Sequence, residues 1–432
     1  MCIVWLGRFT IARGALPVAN GGMSQPAPPT TRAECEALDS ADPLAAKRAA
    51  FALPDGVIYL DGHSLGPATH AAMDRVSKTA REEWAKGLIR SWNDAGWIDL
   101  PRTVGAKLAR LIGAKADEVI VCDSVSVNLF KLAAAALPVA KARIVIVEES
   151  EFPTDQYVAE GLAEITGATL LRVESEQGSK ALAETGGVLI KSLVNYRTSL
   201  VVDVAEHERV ASQSGGLIVW DLSHATGVIA LDLRTDGGRM ATGCTYKFLN
   251  GGPGAPAFVY VRSGLAEKLR SPISGWFGHA EPFAFASGYA PTEGVARFAA
   301  GTPGVLSLAA LDAALSLFDG VEMRVLSNKA RALGDLIIAR TTAMGLEPIS
   351  PLDAKVRGGH VSVRHEESYA VVQALIARGI IPDFRAPDVM RVGVPPLFIR
   401  FVDVWDAMNT LSDVLDTRAW DTPSFKTRAA VT

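Results

Sequence analysis

The sequence contains few cysteines, and they are not clustered. Only 4 of its 432 residues are cysteines, and they stand far apart at Cys2, Cys35, Cys122 and Cys244. Disulfide-stapled scaffolds and zinc sites need closely spaced cysteines or groups of cysteine and histidine. We therefore predict no disulfide framework, no metal site and a reducing, cytoplasmic compartment.

Charge of one sign and long apolar runs are also missing. The 43 basic and 47 acidic side chains leave a net charge of -4. Proteins that bind nucleic acids or anionic lipids concentrate positive charge, so we predict neither nucleic acid nor membrane as a partner. The first apolar run is interrupted by Arg8 and Arg13, well before the ~20 residues that a membrane span needs. We predict a flexible tail at residues 1–30, in which Met23 is an alternative start.

Apolar segments alternate with amphipathic helical patterns over most of the chain. Runs such as RIVIVE and GLIVWD, each followed by a helical pattern, are typical of buried parallel strands joined by helices. We predict an α/β domain with a mostly parallel sheet at residues 71–300. Two long helical patterns follow, so residues 301–432 are predicted to form a smaller α+β domain, which residues 31–70 join.

The first candidate ligand site follows the predicted strand that ends in VIVCDS. Ligands of open parallel sheets collect beyond the carboxyl ends of the strands. There Ser124, Val125 and Ser126 lead into a helix, and the free amides and positive dipole of a helix N-terminus suit a phosphate. The alternative is that these serines only cap the helix.

An acidic residue follows another predicted strand. Asp221 comes directly after the apolar run LIVW, and His224 lies three residues further on. A carboxylate in this position is partly buried and needs a cationic partner to stay ionised. The protonated nitrogen of a pyridine ring would serve, and a helix-capping aspartate beside a structural histidine is the alternative.

A lysine stands between an aromatic residue and a glycine-rich turn. Tyr246 and Lys247 precede Gly251, Gly252 and Gly254, which allow the backbone to turn tightly beside a ligand. A lysine without an acidic neighbour either reaches solvent or forms a bond that removes its charge. An imine with an aldehyde cofactor is such a bond.

In this order on one sheet, a phosphate seat, an acid and an imine-forming lysine resemble the fold type I pyridoxal 5'-phosphate enzymes. More specifically, the sequence resembles the kynureninase family over about residues 59–401. The blocks that carry this resemblance are YLDGHSLGP, SVSVNLF, FPTDQY, VNYRTS, DLSHATG, CTYKFLNGGPGAPAFVYV, GWFGH and RVGVPPLF. One departure is His63, where the family pattern has asparagine, and it affects the hydrogen bonding beside Ser64.

The resemblance implies the residues that bind the cofactor. Lys247 would hold pyridoxal phosphate as an imine, Asp221 would pair with the ring nitrogen, and Tyr246 would help proton transfer; these three are the implied catalytic residues. Further cofactor contacts are implied at Val125, Ser126, Phe152, Asp155, Ser192, His224, Trp276 and Thr302. The last two would come from the neighbouring subunit of a homodimer with shared active sites, although without the resemblance core packing and a turn hydroxyl are the better explanations.

The resemblance also implies the substrate contacts. Arg391 would hold the substrate carboxylate by two parallel charge-assisted hydrogen bonds, whereas the residues alone allow a solvated arginine before a proline-rich turn. Ser64 and Trp92 would complete the substrate site. The pairing of Trp92 with Thr302 resembles enzymes that prefer kynurenine to 3-hydroxykynurenine.

The implied activity is hydrolysis of the Cβ–Cγ bond of L-kynurenine, or of 3-hydroxykynurenine, to L-alanine and anthranilate or its 3-hydroxy form. This reaction belongs to tryptophan catabolism, the kynurenine pathway and NAD biosynthesis. The alternatives are another fold type I activity, such as a desulfurase or a transaminase, and a noncatalytic relative that binds the cofactor. A desulfurase needs a nucleophilic cysteine after its lysine, and no cysteine follows Cys244.

Overall fold

The computed structural model describes residues 27–428, so most of the predicted tail at residues 1–30, including Cys2 and Met23, lies outside the described residues. The described chain begins with short elements that lead up to the central sheet. In chain order they are α1 (Arg32–Ser40), β1 (Ile58–Tyr59), α2 (His70–Lys78), a π-helix (Thr79–Gly87), α3 (Ser91–Asp94) and α4 (Leu100–Ala109).

A sheet of seven strands forms the centre of the described chain. Its strands are β2 (Val119–Val121), β3 (Ile144–Glu148), β4 (Thr169–Val173), β5 (Val188–Ser192), β6 (Leu217–Asp221), β7 (Met240–Gly243) and β8 (Phe258–Val261). Their spatial order is β2-β8-β7-β6-β5-β3-β4. Strand β8 is antiparallel to both of its neighbours, and the other described pairs are parallel. The predicted α/β fold with a mostly parallel sheet is confirmed.

The helices that connect these strands begin and end where their sequences direct. They are α5 (Val125–Ala136), α6 (Pro153–Thr166), α7 (Gly178–Thr185) and α8 (Val204–Ser214). The Ser124 side chain caps α5, and Pro153 occupies the first turn of α6, where its missing N–H costs nothing. Helix α6 ends at Gly167, whose φ of 66° suits a residue without a Cβ. The helices cover both faces of the sheet, so β5 and β6 are buried throughout.

The C-terminal part contains an antiparallel sheet of four strands in the order β12-β13-β10-β9. Its elements are α9 (Val305–Ala314), α10 (Met323–Ala343), β9 (Glu347–Pro348), β10 (His360–Arg364), α11 (Ser368–Ile376), β11 (Ile380–Ile381), β12 (Asp383–Arg385), β13 (Val389–Gly393), α12 (Phe401–Asp416) and α13 (Pro423–Lys426). The early strand β1 pairs in parallel with β11. The boundaries given above for the domains stay predictions.

Among residues 27–428, no helix combines the length and the apolar character that crossing a bilayer requires. The described part of the chain instead has two buried apolar clusters, which occupy the space between the sheets and their helices. Because the strands are rigidly packed on both faces, the residues at their carboxyl ends are held in fixed positions.

Candidate active site

A cavity of about 330 Å³ lies at the carboxyl ends of the parallel strands, a volume within the range of small-molecule sites. Ser192 ends β5 and Asp221 ends β6, and the two residues are register partners. Eleven of the predicted site residues line this cavity: Ser64, Val125, Ser126, Phe152, Asp155, Ser192, Asp221, His224, Tyr246, Lys247 and Arg391. The fold therefore brings together residues from segments that are far apart in the sequence.

The N-terminus of α5 forms one end of the cavity. The Ser124 hydroxyl accepts a hydrogen bond from the Val127 amide at 3.4 Å, so the capping interpretation holds for Ser124. Val125 and Ser126 are in the first turn, where amides have no partner within the helix. This end of the cavity suits a phosphate.

Asp221, His224 and Lys247 meet in the middle of the cavity. Lys247 Nζ lies 2.9 Å from His224 Nε2. Burial, followed by the Lys247 charge, holds the pKa of His224 well below its usual value, so the imidazole is neutral and accepts from the ammonium group. Asp221 Oδ1 accepts a hydrogen bond from the Ser223 amide at 2.8 Å. This part of the cavity, which is shielded from water, therefore contains the Lys247 amine and the Asp221 carboxylate, which accepts a backbone hydrogen bond.

A second carboxylate lies behind Asp221. Ser192 Oγ donates a hydrogen bond to Asp155 Oδ2 at 3.4 Å. Burial raises the pKa of Asp155 well above its usual range, and the charges of Asp221 and Glu151 add to this. Burial also raises the pKa of Asp221, but Ser223 and Lys247 act in the opposite direction. The proton of this pair therefore belongs on Asp155, and the negative charge on Asp221.

Arg391 is almost fully buried at the far side of the cavity. Its Nε donates to Asp383 Oδ2 at 2.5 Å, and its Nη2 also contacts that carboxylate. Its Nη1 donates to the Tyr196 carbonyl at 2.6 Å and its Nη2 to Ser64 Oγ at 3.1 Å. Asp383 therefore occupies the Nε–Nη2 fork of the guanidinium, and a ligand carboxylate that approaches the Nη1–Nη2 edge would share it with the Tyr196 carbonyl and Ser64 Oγ.

Pyridoxal phosphate fits the groups that surround the cavity. Two buried polar atoms, Asp155 Oδ1 and His224 Nδ1, have no hydrogen-bond partner among the described residues. The cavity also supplies a helix N-terminus for a phosphate, an amine for an aldehyde and a carboxylate for a ring nitrogen. Phe152 lines the same cavity, stands edge-on to Tyr196 with ring centroids 5.2 Å apart, and is about 40% exposed.

Three predicted site residues lie outside this cavity. Trp92 packs against Trp97 and Phe277, at centroid distances of 5.9 and 6.0 Å. Trp276 stands edge-on to Phe277 at 4.6 Å. Thr302 lines a second cavity, which shares Asp123, Ser124 and Gly254 with the first.

The prediction from sequence missed two groups of residues near the site. Lys131 is fully buried and donates to Asp123 Oδ2 at 2.5 Å, beside the N-terminus of α5. His63 and His360 are also fully buried, with nearly parallel rings whose centroids are 5.0 Å apart. The signals that could have indicated Lys131 and His360 are a lone lysine in the apolar run NLFKLAAAA and a histidine inside the strand HVSV. His63 was noted above only as a departure from the family pattern.

The comparisons with known proteins agree with one another. The model of the "Kynureninase C-terminal domain" family matches residues 326–411. A curated kynureninase from Pseudomonas fluorescens is 45% identical over 93% of this chain and 100% of that protein. A kynureninase from Burkholderia mallei is also 45% identical, with the same coverage. Among solved structures, a cysteine desulfurase from Thermococcus onnurineus matches with a TM-score of 0.72 at 17% identity, over 86% of this chain and 97% of that one, which shows the fold alone.

Proposed function

The chain belongs to the kynureninase family of pyridoxal-phosphate-dependent hydrolases, and from this premise we propose that it hydrolyses the Cβ–Cγ bond of L-kynurenine. The water oxygen joins the γ-carbon, which leaves as the carboxylate of anthranilate, and a proton joins the β-carbon to give the methyl group of L-alanine. The observation that carries this proposal is the meeting of Lys247, Asp221 and Arg391 at one cavity, in a chain with full-length relatives of that name.

The residues of the cavity have separate tasks in this reaction. Bound pyridoxal phosphate supplies an electron sink for the carbanion that the reaction generates. The Lys247 amine moves the proton at the substrate Cα, with neutral His224 as its hydrogen-bond acceptor at 2.9 Å. Asp221 would pair its negative charge with the ring nitrogen of the cofactor, and the amides of Val125 and Ser126 would hold the phosphate.

Tyr246 is the proposed donor of the proton that joins the β-carbon after the Cβ–Cγ bond has broken. The neighbouring Cys244 thiol, followed by burial, raises the pKa of Tyr246 above its usual value, so the phenol keeps its proton at neutral pH. A group that is protonated before the bond breaks is able to deliver that proton afterwards. Arg391 and Ser64 hold the substrate carboxylate at the opposite side of the cavity.

The proposal includes a homodimer in which each subunit completes the site of the other. Trp276 and Thr302 do not line the first cavity of the described chain, and in this proposal they reach the site of the other subunit across the interface. Phe283 and Phe285, close to Trp276, have 61% and 83% of their side chains exposed, as expected of a surface that a second copy covers. We place the protein in the cytoplasm, in tryptophan catabolism and NAD biosynthesis, with Trp92 and Thr302 favouring kynurenine over its 3-hydroxy form.

The test is to incubate the purified holoprotein with L-kynurenine and to measure anthranilate by fluorescence and alanine by chromatography, in equal amounts. Lys247→Ala should abolish both products, whereas Lys268→Ala, a change of an exposed lysine, should leave them unaltered. Production of pyruvate or a transaminated product in place of alanine would contradict the proposal. The same assay with 3-hydroxykynurenine measures the substrate preference, and a higher kcat/KM for that compound would contradict the preference stated above.

Complementation tests the shared site. Lys247→Ala and Trp276→Ala subunits should each be inactive alone. Mixed after dissociation, they should recover about a quarter of the wild-type activity, because half of the dimers are then mixed and each has one intact site. No recovery in a mixture in which mass spectrometry of the intact dimers detects mixed dimers would assign Trp276 to the site of its own chain.

A further inference from the structure

Asp61 carries a further carboxyl group near Arg391, and it is not one of the residues that line the cavity. Asp61 lies in the loop between β1 and α2, and one of its carboxylate oxygens is within 4.8 Å of a carboxylate oxygen of Asp383, the ion-pair partner of Arg391. Ser64, from the same loop, accepts a hydrogen bond at its Oγ from Arg391 Nη2 at 3.1 Å. The loop therefore brings the Asp61 carboxyl group close to the guanidinium group that faces the cavity.

The surroundings of Asp61 offer it little stabilisation as an anion. Asp61 Oδ1 is buried and has no hydrogen-bond partner among the described residues. His63 Nδ1, from the same loop, is 3.6 Å away, and burial holds the pKa of His63 well below its usual value, so this ring is neutral. Tyr59, on β1, is an uncharged neighbour because burial, with Asp61 and Asp383, raises its pKa.

The remaining neighbours come from β12 and β13. Asp383 is an anion paired with Arg391, and Arg385 Nη1 lies 3.4 Å from the other oxygen of Asp383. His360, on β10, is neutral because burial lowers its pKa. Arg385, Arg391, Asp383 and Asp61 together form what we call the Arg391 corner. It has one net positive charge when Asp61 is protonated, and none when Asp61 is ionised. Burial, and then the Asp383 charge, raise the pKa of Asp61 to about 7.

We propose that Asp61 is a positioning residue that controls how strongly the Arg391 corner binds a substrate carboxylate. This inference rests on the proposed function, which gives Arg391 that ligand. Protonated Asp61 leaves the net positive charge of the corner to the ligand, whereas ionised Asp61, close to the pair of Asp383 and Arg391, cancels it. By thermodynamic reciprocity, a ligand carboxylate that binds at Arg391 must draw a proton onto Asp61.

The proposal predicts a specific pH dependence in the holoprotein. The dissociation constants of L-alanine, the proposed product, and of L-alaninamide, which lacks the carboxylate, would be measured from the cofactor absorbance between about pH 6 and pH 8. The ratio of the wild-type constant to the Asp61→Asn constant should rise about tenfold with pH for L-alanine, a coupling of ordinary size. For L-alaninamide this ratio should stay constant. Asp55→Asn, a change of an exposed carboxylate in the preceding segment, should behave as the wild type.

A second measurement does not depend on a variant that folds. Calorimetric titration of the wild-type holoprotein with L-alanine near neutral pH, in two buffers of different ionisation enthalpy, should show proton uptake that is absent with L-alaninamide. Parallel pH profiles in wild type and Asp61→Asn, or equal proton uptake for both ligands, would overturn the proposal. A wild-type protein that binds the two ligands equally would overturn it too, because Arg391 would then not be the carboxylate site.

The outcome is separable from that of the proposed function. Cleavage of L-kynurenine with no proton coupling of L-alanine binding would refute the role of Asp61 alone. Proton-coupled binding of L-alanine without cleavage of L-kynurenine would refute the proposed reaction and leave the role of Asp61 standing.

Discussion

Replacement of Lys131 by methionine tests how the phosphate end of the cavity is built. The Lys131 side chain is fully buried, and its Nζ donates to Asp123 Oδ2 at 2.5 Å and to the Phe298 carbonyl at 2.6 Å. Asp123 has a φ of 52°, directly before the cap of α5. Methionine has a similar length and fits an apolar interior, so the change removes the charge and the hydrogen bonds without leaving a large cavity.

The magnitude follows from the two partners left behind. Breaking a buried ion pair by removing one member costs about 3–5 kcal/mol of unfolding free energy. The Asp123 side chain is 27% exposed, so water rehydrates part of the carboxylate and the cost falls near the lower end of that range. The Phe298 carbonyl loses its charged donor as well, which costs about 1–3 kcal/mol when no water replaces it. We expect a total loss of about 4 kcal/mol or more.

The same change should weaken binding of the cofactor. Asp123 lines the cavity beside Ser124 and Ser126, and without the Lys131 ammonium group its charge is uncompensated next to the proposed phosphate position. We expect the cofactor to dissociate at least about tenfold more readily, since like charges in contact oppose binding. Asp123→Asn in the same chain should restore most of the affinity, because it removes the unpaired charge.

The assay is denaturant unfolding at fixed protein and cofactor concentrations, because both concentrations shift the apparent stability. Wild type, Lys131→Met, Asp123→Asn and the double variant form a double-mutant cycle. Lys180→Met, a change of an exposed lysine on α7, is the matched control. A loss below about 1 kcal/mol in Lys131→Met, with unchanged cofactor affinity, would refute the view that this pair is a buried structural charge pair.

Three other changes have consequences that the structure specifies. In Gly393→Ala the new Cβ would lie 2.3 Å from His63 Nδ1. We therefore expect denaturant unfolding to show a loss of about 1–3 kcal/mol in unfolding free energy, part of which His63→Ala should recover. Equal stability of Gly393→Ala and wild type would show that the loop that carries His63 moves aside without cost. Burial holds the pKa of His63, His224 and His360 well below 6.5, so their neutral forms stabilise the fold above that pH, and the contribution is lost as the pH falls. The unfolding free energy should then decrease below about pH 6.5 by up to about 1.4 kcal/mol per pH unit for each ring. His63→Asn removes one of the three rings, so it should reduce this slope by the contribution of one proton. An unchanged slope would mean that His63 is protonated in the folded protein. Asp221→Asn should lower kcat/KM for L-kynurenine by about 100-fold or more, since it removes the charge that would pair with the ring nitrogen, while circular dichroism should show an intact fold. Activity within a few-fold of wild type would remove Asp221 from the catalytic residues.

Local sequence patterns sufficed for the central sheet and for much of the site. A parallel strand that is buried on both faces must be an unbroken apolar run, so IVIVE, VLIKS and LIVWD are recognisable without knowledge of their neighbours. Since ligands gather where such strands end, Asp221 and Lys247 were candidate site residues from their local patterns, whereas Ser192 was implied by the family resemblance. The helix cap at Ser124 is equally local.

Contacts between distant segments escaped those patterns. The sequence predicted Arg391 as a fork for a substrate carboxylate, but the structure shows Asp383 in that fork. The pairing depends on the antiparallel register of β12 and β13, which sets Asp383 opposite Arg391. Nothing in the residues beside Arg391 reveals that register, because it is fixed by the packing of the whole C-terminal sheet.

The sequence by itself determined the order along the chain of the candidate site residues that follow the strands. It also determined the amine at Lys247 and the carboxylate at Asp221, because each of these depends on the residues next to it. Only the tertiary structure decided the charge states around them. His63, His224 and His360 come from three separate segments, and their neutral state follows from burial that all three share. Desolvation and Coulomb interactions depend on distance in space and not on distance along the chain, so a pKa such as that of Asp61 is a property of the folded molecule.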